Sequence, residues 1–377
     1  MVARKDINTP NRHQKIIRIF LLFFTFIGCP LCVYPQADNV VDDHTDATKE
    51  RKSIFGKARD LLIWYLDTYD YDTTYIHPKQ YYYTLMMQQS ANFESYTLRS
   101  IKQAQKIRFS PDNSYKLGAY FGWHGLFLGA SVNTSELFTK RNGSNKKAEY
   151  FFNLYGHKLG ADVFFRRTGN DFKIRSAKGF TKENEIYNFN GASFSGMKVR
   201  TTGANIYYVF NNKHFSYPAA YSQTTVQKIS RGTLVGGISW SHHHLDFDYT
   251  QLPIEIQSTL SDDLKFKQVK YMDFNINFGY AFNWVFADNW LLAVALTPAL
   301  AYKASRITIE ESAYNQQYHN ITPDFITRAG IVYNNNRFFA GVSTVAHIYQ
   351  YYQKNFALTN NFGVLKIYAG MNLKKRG

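Results

Sequence analysis

The sequence contains little cysteine and only a moderate amount of charge. Cys29 and Cys32 are the two cysteines among its 377 residues. The chain beyond residue 37 therefore offers no thiol for a disulfide, a thiolate metal site or a cysteine nucleophile. Charged residues make up 19% and hydrophobic residues 45% of the chain, which excludes an intrinsically disordered protein.

Long hydrophobic runs are also absent. The apolar stretch 16–28 is shorter than the roughly 20 residues that a membrane-spanning helix needs, and the mean hydropathy is −0.37. These values exclude a polytopic helical membrane protein. A basic leader precedes the stretch: Arg4, Lys5, Arg12, Lys15 and Arg18. We therefore predict that residues 1–37 are a cleaved secretory signal peptide; a retained anchor and acylation at Cys29 are alternatives.

Positive charge exceeds negative charge, with 44 Lys+Arg against 28 Asp+Glu and a net charge of +16. A nucleic-acid-binding protein concentrates such charge in a stripe, whereas these cations are spread between aromatic segments behind an export signal. We predict no nucleic-acid partner. The sequence lacks the P-loop, dinucleotide, HExxH and G-x-S-x-G motifs, and we predict no cofactor and no metal.

Aromatic residues are abundant, at 17% of the chain, and they alternate with polar residues. In residues 273–286, one face carries Phe274, Ile276, Phe278, Tyr280, Phe282, Trp284 and Phe286. Alternation over fourteen residues predicts a β-strand. Strands of soluble proteins usually have about 5–6 residues, whereas a tilted transmembrane strand needs about 9–11. The length therefore favours a strand that crosses a membrane.

Similar segments recur and predict an all-β fold, an antiparallel up-and-down transmembrane β-barrel at 91–377. A periplasmic linker with a short amphipathic helix near 53–66 occupies residues 38–90. The twelve predicted strands are 91–101, 115–123, 126–134, 148–156, 158–168, 200–210, 230–245, 267–286, 289–305, 322–333, 337–350 and 361–373. Short links alternate with long polar ones, as in barrels with tight periplasmic turns and long outer loops. The long links are predicted at 102–114, 135–147, 169–199, 250–266, 306–321 and 351–360.

The polar faces of these strands predict the residues that line a lumen. The candidates are Asp162, Arg166, Asp273, Asn275, Asn277, Arg328 and Lys366. Residues 211–229 form a long link where a tight turn is expected. We predict that this link packs against the barrel interior or the N-terminal helix, as a plug or a fixed turn, through Phe215, Tyr217, Pro218 and Tyr221.

The densest cluster of titratable residues is Ser241–Asp248. On a strand, His242, His244, Asp246 and Asp248 share a face, and imidazole and carboxylate at alternate positions could bind Zn²⁺ or Ni²⁺. A polar barrel rim explains the same residues without a metal, and we favour the rim. Ser239 or Ser241 beside a histidine suggests an outer-membrane phospholipase-like hydrolase, provided that an orienting group and an oxyanion donor are present.

The segment from Tyr207 to Gly232, with Asn211-Asn212-Lys213-His214-Phe215 and Tyr217-Pro218-Ala219-Ala220-Tyr221, resembles the domain-of-unknown-function family number 4421. Asp72-Thr73-Thr74-Tyr75-Ile76 and Lys116-Leu117-Gly118 are similar to earlier blocks of that family. The resemblance implies a predicted outer-membrane barrel exported by Gram-negative bacteria of the Bacteroides group, without known catalytic residues. We expect a non-enzymatic narrow channel or structural barrel, with outer-membrane lipid and small solutes as partners. The hydrolase is the alternative.

Overall fold

The computed structural model describes residues 70–78, 81–123, 126–134, 148–180, 189–309, 315–353 and 355–375. The predicted signal peptide and the predicted helix near 53–66 lie outside the described residues. The described chain folds as one large, curled antiparallel β-sheet with short helices in its links. No helix in this part of the chain is long and apolar enough to span a bilayer.

Seventeen strands and two α-helices follow one another in the described residues. They are β1 (Ile76–His77), β2 (Tyr81–Ser100), β3 (Lys106–Pro111), β4 (Ser114–Trp123), β5 (Leu126–Asn133), β6 (Ala148–Tyr155), β7 (Leu159–Gly169), β8 (Phe172–Lys178), β9 (Ser193–Phe194), β10 (Met197–Val209), α1 (Tyr217–Tyr221), β11 (Val226–Gln227), β12 (Arg231–Phe247), α2 (Ile254–Gln257), β13 (Phe266–Ala287), β14 (Trp290–Ile309), β15 (Asn315–Asn334), β16 (Phe338–Tyr352) and β17 (Phe356–Lys375).

Twelve of these strands form the wall, in agreement with the sequence prediction. Their order in the sheet is β6-β7-β10-β12-β13-β14-β15-β16-β17-β2-β4-β5. Successive wall strands pair along this order, and β17 pairs with β2. β5 and β6 are at its two ends and are not paired with each other in the described residues. The first and last wall strands pair along their length, with Tyr81 opposite Lys375. The sheet therefore curls into an up-and-down barrel wall whose first and last strands are adjacent.

β2, β15 and β17 each begin five or more residues earlier than predicted. β2 begins at Tyr81 rather than 91, because exposed Leu85 and Met87 alternate with buried Thr84 and Met86 before the more regular run. The predicted long links 306–321 and 351–360 are also wrong over most of their length. β14 continues to Ile309, β15 begins at Asn315, and β17 begins at Phe356. Polar side chains at these strand ends resemble loop sequence, but their backbones still pair.

Three of the other predicted long links, 102–114, 169–199 and 250–266, contain regular structure in their described residues, and the predicted link 135–147 lies outside the described residues. β3 pairs with β2 and β8, and β8 pairs with β9. The link between β12 and β13 contains α2 and buries Leu252, Ile256, Leu260 and Leu264. These elements fill the end of the barrel that carries the long links with one apolar cluster that includes Phe109, Phe247 and Phe266.

Candidate functional site

The barrel interior contains charged side chains that are paired with one another. Lys303 on β14 is fully buried and contacts carboxylates from both neighbouring strands: Asp273 on β13, and Asp324 on β15 at 2.7 Å from Nζ to Oδ2. Asp324 Oδ1 also accepts a hydrogen bond of 2.8 Å from the backbone N–H of Gln350. Isolated buried ions are very costly, so this arrangement is stable only because each charge has close partners.

A second ion pair crosses the interior. Arg328 on β15 contacts Asp162 on β7, and both residues are buried. Asn205 Nδ2 donates to the same Asp162 oxygen at 3.1 Å, and Asn277 Nδ2 donates to Asn205 Oδ1 at 3.0 Å. The guanidinium of Arg328 also lies 4.9 Å from the ring centre of Tyr207. This network connects strands on different sides of the wall through the space that a pore would need.

A third network surrounds Arg166 on β7. Its Nη2 lies 2.9 Å from Glu94 Oε2 on β2 and 3.3 Å from Glu149 Oε1 on β6. Thr168 and Tyr96 donate to the two Glu94 oxygens, at 2.9 and 2.7 Å. Because each carboxylate has several donors, the charges are held in fixed positions.

The structure places all seven sequence-predicted lumen candidates on the inner face of the wall. Asp162, Arg166, Asp273, Asn275, Asn277 and Arg328 are buried, and Lys366 is half-buried. Sequence reasoning missed Glu94, Glu149, Lys303 and Asp324, which are central to the networks. Side chains two residues apart on a strand lie on the same face. Glu94 therefore shares the inner face with buried Asn92, and Lys303 shares it with buried Ala301. The alternation that identified Asp273 could have identified both.

The link between β10 and β12 lies inside the wall. Phe215 and Tyr217 are almost completely buried, Pro218 is buried, and Tyr221 is half-buried. Ser216 caps α1 by accepting a hydrogen bond from the backbone N–H of Ala219, and Pro218 lies in the first turn, where its missing N–H costs nothing. The link thus folds into a compact element, which we call the plug (residues 211–229).

Side chains from three wall strands hold the plug. Asn283 of β13 donates to the Ser216 carbonyl at 2.9 Å, and Asn334 of β15 donates to the Gln223 carbonyl at 3.3 Å. Gln223 Nε2 in turn donates to the hydroxyl of Tyr368 on β17 at 2.9 Å. Hydrogen bonds to strands around the barrel fix the position of the plug.

The segment that precedes the first wall strand contacts the plug through hydrogen bonds and ring packing. β1 pairs with β11, and the Tyr75 carbonyl accepts a 2.7 Å hydrogen bond from the N–H of Lys228. The guanidinium of Arg231 donates to the Tyr75 hydroxyl at 2.8 Å and lies over its ring. His214 packs edge-on against the same ring. Two of the sequence blocks that carried the family resemblance therefore contact each other.

The histidine-rich segment of β12 divides between the two faces. His242, His244 and Asp246 point outward, and His244 Nε2 lies 3.0 Å from Asp246 Oδ1. Asp246 and Asp248 border a surface cleft of about 620 Å³ at the barrel end that carries the long links. Within the described ranges, no three His, Cys, Asp or Glu side chains are grouped in a way that could hold a metal ion.

The inward residues of the same segment form a serine–histidine pair. Ser241 Oγ lies 2.8 Å from His243 Nε2, and His243 Nδ1 lies 3.5 Å from the Thr201 hydroxyl. Both members of the pair are buried, and the His243 ring stacks on Tyr271 at 4.3 Å. A hydrolase needs a carboxylate-type orienting group and access for substrate. Here a threonine occupies the orienting position, and packed rings cover the pair.

Comparison with known proteins gives one family. The family model described as domain of unknown function (DUF4421) matches residues 70–372. None of the curated proteins matches the sequence.

Several solved structures share a low level of similarity. The outer membrane protease OmpT from Escherichia coli has 6% identity over 82% of this chain and 100% of its own, with a TM-score of 0.36. The outer membrane protein OprG from Pseudomonas aeruginosa has 10% identity, covering 78% and 98%, with a TM-score of 0.24. The Pseudomonas putida toluene transporter TodX has 7% identity, covering 78% and 90%, with a TM-score of 0.22.

Proposed function

We propose that this chain, which belongs to the family of domain of unknown function DUF4421, is a non-enzymatic outer-membrane β-barrel with a closed interior. The observation that carries the proposal is the Arg328–Asp162 ion pair, which joins β15 to β7 through the middle of the barrel. The role that best fits this interior is that of a structural barrel rather than an open channel.

The outer face of the wall supports the membrane location. Alternate β13 residues from Phe274 to Phe286 are exposed, and Ile276 is 72% exposed. These twelve residue steps cover about 40 Å along the strand, or about 30 Å along the membrane normal at a tilt of about 40°. That height matches the hydrocarbon core of a bilayer. Such a continuous apolar surface would be very unfavourable in water.

Three layers support the closed interior. An apolar cluster occupies the end that carries the long links, the ion-pair networks occupy the middle, and the plug occupies the end with the short turns. Barrels of about eight strands are filled by their side chains, whereas those with 16–18 strands hold a water channel. With twelve wall strands, closure requires additional elements, and the inward links supply them.

Ion conductance tests the closed interior. We expect purified full-length protein in a planar bilayer to give no steady conductance. Deleting residues 214–222 removes the plug but leaves the ion-pair networks and the apolar cluster in place, so this variant should also give no steady conductance. The variant F215A/Y217A/Y221A keeps the chain length and should behave in the same way. Steady conductance of these two variants alone would show that the plug, rather than the ion pairs, closes the interior. Steady conductance of the unchanged protein would instead identify a narrow channel for small solutes.

Parallel lipase and peptidase assays test the absence of catalysis. We expect no hydrolysis above the background of a Ser241→Ala variant. Turnover that disappears in Ser241→Ala and in His243→Asn, while both variants keep their fold, would establish the hydrolase alternative. This result would overturn the non-enzymatic assignment whatever the conductance.

A further inference from the structure

Five wall strands carry a basic side chain at positions that are directly opposite one another. Arg167 of β7 pairs with Arg200 of β10, which pairs with His244 of β12. His244 pairs with Lys270 of β13, and Lys270 pairs with Arg306 of β14. We call this row the cationic strip. Neighbouring positions in such a row are about 5 Å apart, so the strip is about 19 Å long.

The cationic strip lies on the outer face of the wall. Arg167, Arg200 and Arg306 are exposed, and His244 and Lys270 are half-buried. The outer face becomes apolar and rich in aromatic residues four residues from the strip, counted along each strand towards the middle of the wall. The exposed residues at that level are Val163, Trp240, Phe274 and Tyr302. The strip is therefore about 13 Å along the strands beyond the edge of the membrane-facing belt. Trp and Tyr are enriched at the bilayer surface, so the strip reaches the level of lipid headgroups.

Within the described residues, no carboxylate pairs with the arginines and the lysine of this row. Directly opposed like charges destabilise a sheet, yet Arg167 faces Arg200 and Lys270 faces Arg306. Asp246, two residues from His244 on the same face, is engaged by His244 and by Gln268. An anion from outside the chain would remove the repulsion.

We propose that the cationic strip is a binding site for the phosphate headgroups of membrane lipids. The planar guanidinium of arginine matches phosphate with two parallel hydrogen bonds. Arg167 and Arg200 bind one phosphate, and Lys270 and Arg306 bind a second about 14 Å away, three strand spacings along the row. The acyl chains lie against the apolar belt below. The proposal does not depend on whether the interior conducts ions.

Native mass spectrometry of the full-length protein in a neutral detergent tests the site. The probes are a bisphosphorylated glycolipid (lipid A), phosphatidic acid and, as the uncharged comparison, diacylglycerol. We expect retention of lipid A and of two phosphatidic acid molecules, with no retention of diacylglycerol. In R167Q/R200Q/K270Q/R306Q the apparent affinity should fall by at least about tenfold. The paired variants R167Q/R200Q and K270Q/R306Q should each lose one phosphatidic acid.

The matched control removes four exposed cations at the end of the wall with the short turns, none of which is paired with another in the strand registers, in K213Q/K228Q/R337Q/K374Q. It has the same net charge as the strip variant and should keep its lipids. Equal loss in both quadruple variants would overturn the site in favour of general attraction by net charge. Displacement of the lipids by an equal concentration of inorganic phosphate would also overturn it, because the site would then bind free phosphate. Heat-modifiable migration on gels confirms that each variant is folded before it is scored.

Discussion

Arg328 on β15 and Asp162 on β7 form a buried ion pair although four wall strands separate them in the sheet. The contact therefore passes through the interior rather than along the wall. It links opposite sides of the barrel and uses both charges to close the space between them. The first prediction concerns the energy of this contact.

Removing one partner should be much more harmful than removing both. We expect Arg328→Met to lower the free energy of unfolding by about 3–5 kcal/mol, because Asp162 would stay buried and uncompensated. The double variant D162L/R328M should recover most of that loss. Urea unfolding of the protein in liposomes measures both values. A double variant that is less stable than Arg328→Met would show that the pair contributes net stability.

The second prediction concerns the outer belt. Ile276→Arg should destabilise the protein by about 2–4 kcal/mol, because the charge would face the bilayer centre. Ile276→Leu is the matched control and should be close to neutral. Asn277→Arg, the substitution that alternation alone would nominate as harmless, should also be damaging, since Asn277 is buried and donates to Asn205. Equal folding yields for Ile276→Arg and Ile276→Leu would contradict the assignment of faces.

The third prediction concerns Gln227, whose side chain holds the plug together. Its Oε1 accepts from the N–H of Ser216 at 3.0 Å, and its Nε2 donates to the His214 carbonyl at 2.7 Å. Gln227→Leu should cost about 1–3 kcal/mol, because it leaves buried backbone groups without partners. Amide hydrogen exchange across 211–229 should accelerate. The exposed neighbour variant Lys228→Gln should leave exchange at 214–222 nearly unchanged; equal acceleration would contradict the role of Gln227.

The fourth prediction concerns pH and the turn between β6 and β7. Burial, and to a lesser degree the positive charge of Lys158, lowers the pKa of His157 to about 4, while Asp70 acts in the opposite direction. The unfolded chain binds a proton near pH 6.5 and the folded protein does not. Stability from this group is therefore complete above pH 6.5 and is lost as the pH falls towards 4.

Thermal unfolding in detergent at pH 7 and at pH 4.5 measures this effect. His157→Asn should reduce the difference in Tm between the two pH values, because the variant has no group that titrates there. An unchanged difference in the variant would assign the pH dependence to other groups.

The sequence predicts the wall better than its contents. Period-two alternation located twelve strands, because a strand with lipid on one side and a packed interior on the other must alternate. The prediction missed 81–90 although Leu85 and Met87 alternate there with Thr84 and Met86. It also missed the strand ends around Ile309, Asn315 and Phe356, where polar residues resemble loop sequence.

The interior was harder to predict, because a pairing such as Arg166 with Glu94 depends on which strands meet across the barrel. Alternation assigns each side chain to a face but does not identify its partner. The plug was accessible only through an anomaly: a long aromatic link occurred where a tight turn was expected. No such irregularity in the sequence indicated α2. Its burial depends on packing against an apolar cluster formed by distant parts of the chain.

The pairing of Tyr81 with Lys375 sets the order in which the protein can fold. The first wall strand, β2, pairs with the last one, β17. We call this pairing the seam, and it cannot form until the C-terminal strand has been synthesised and exported. Contacts between distant parts of a chain form slowly. We expect seam formation to be a late step of folding. In that step the plug becomes enclosed and the interior ion pairs lose their water at the same time. A chain that ends at Gln353 should consequently bind membranes without acquiring heat-modifiable migration, and a compact species from that chain would refute this order.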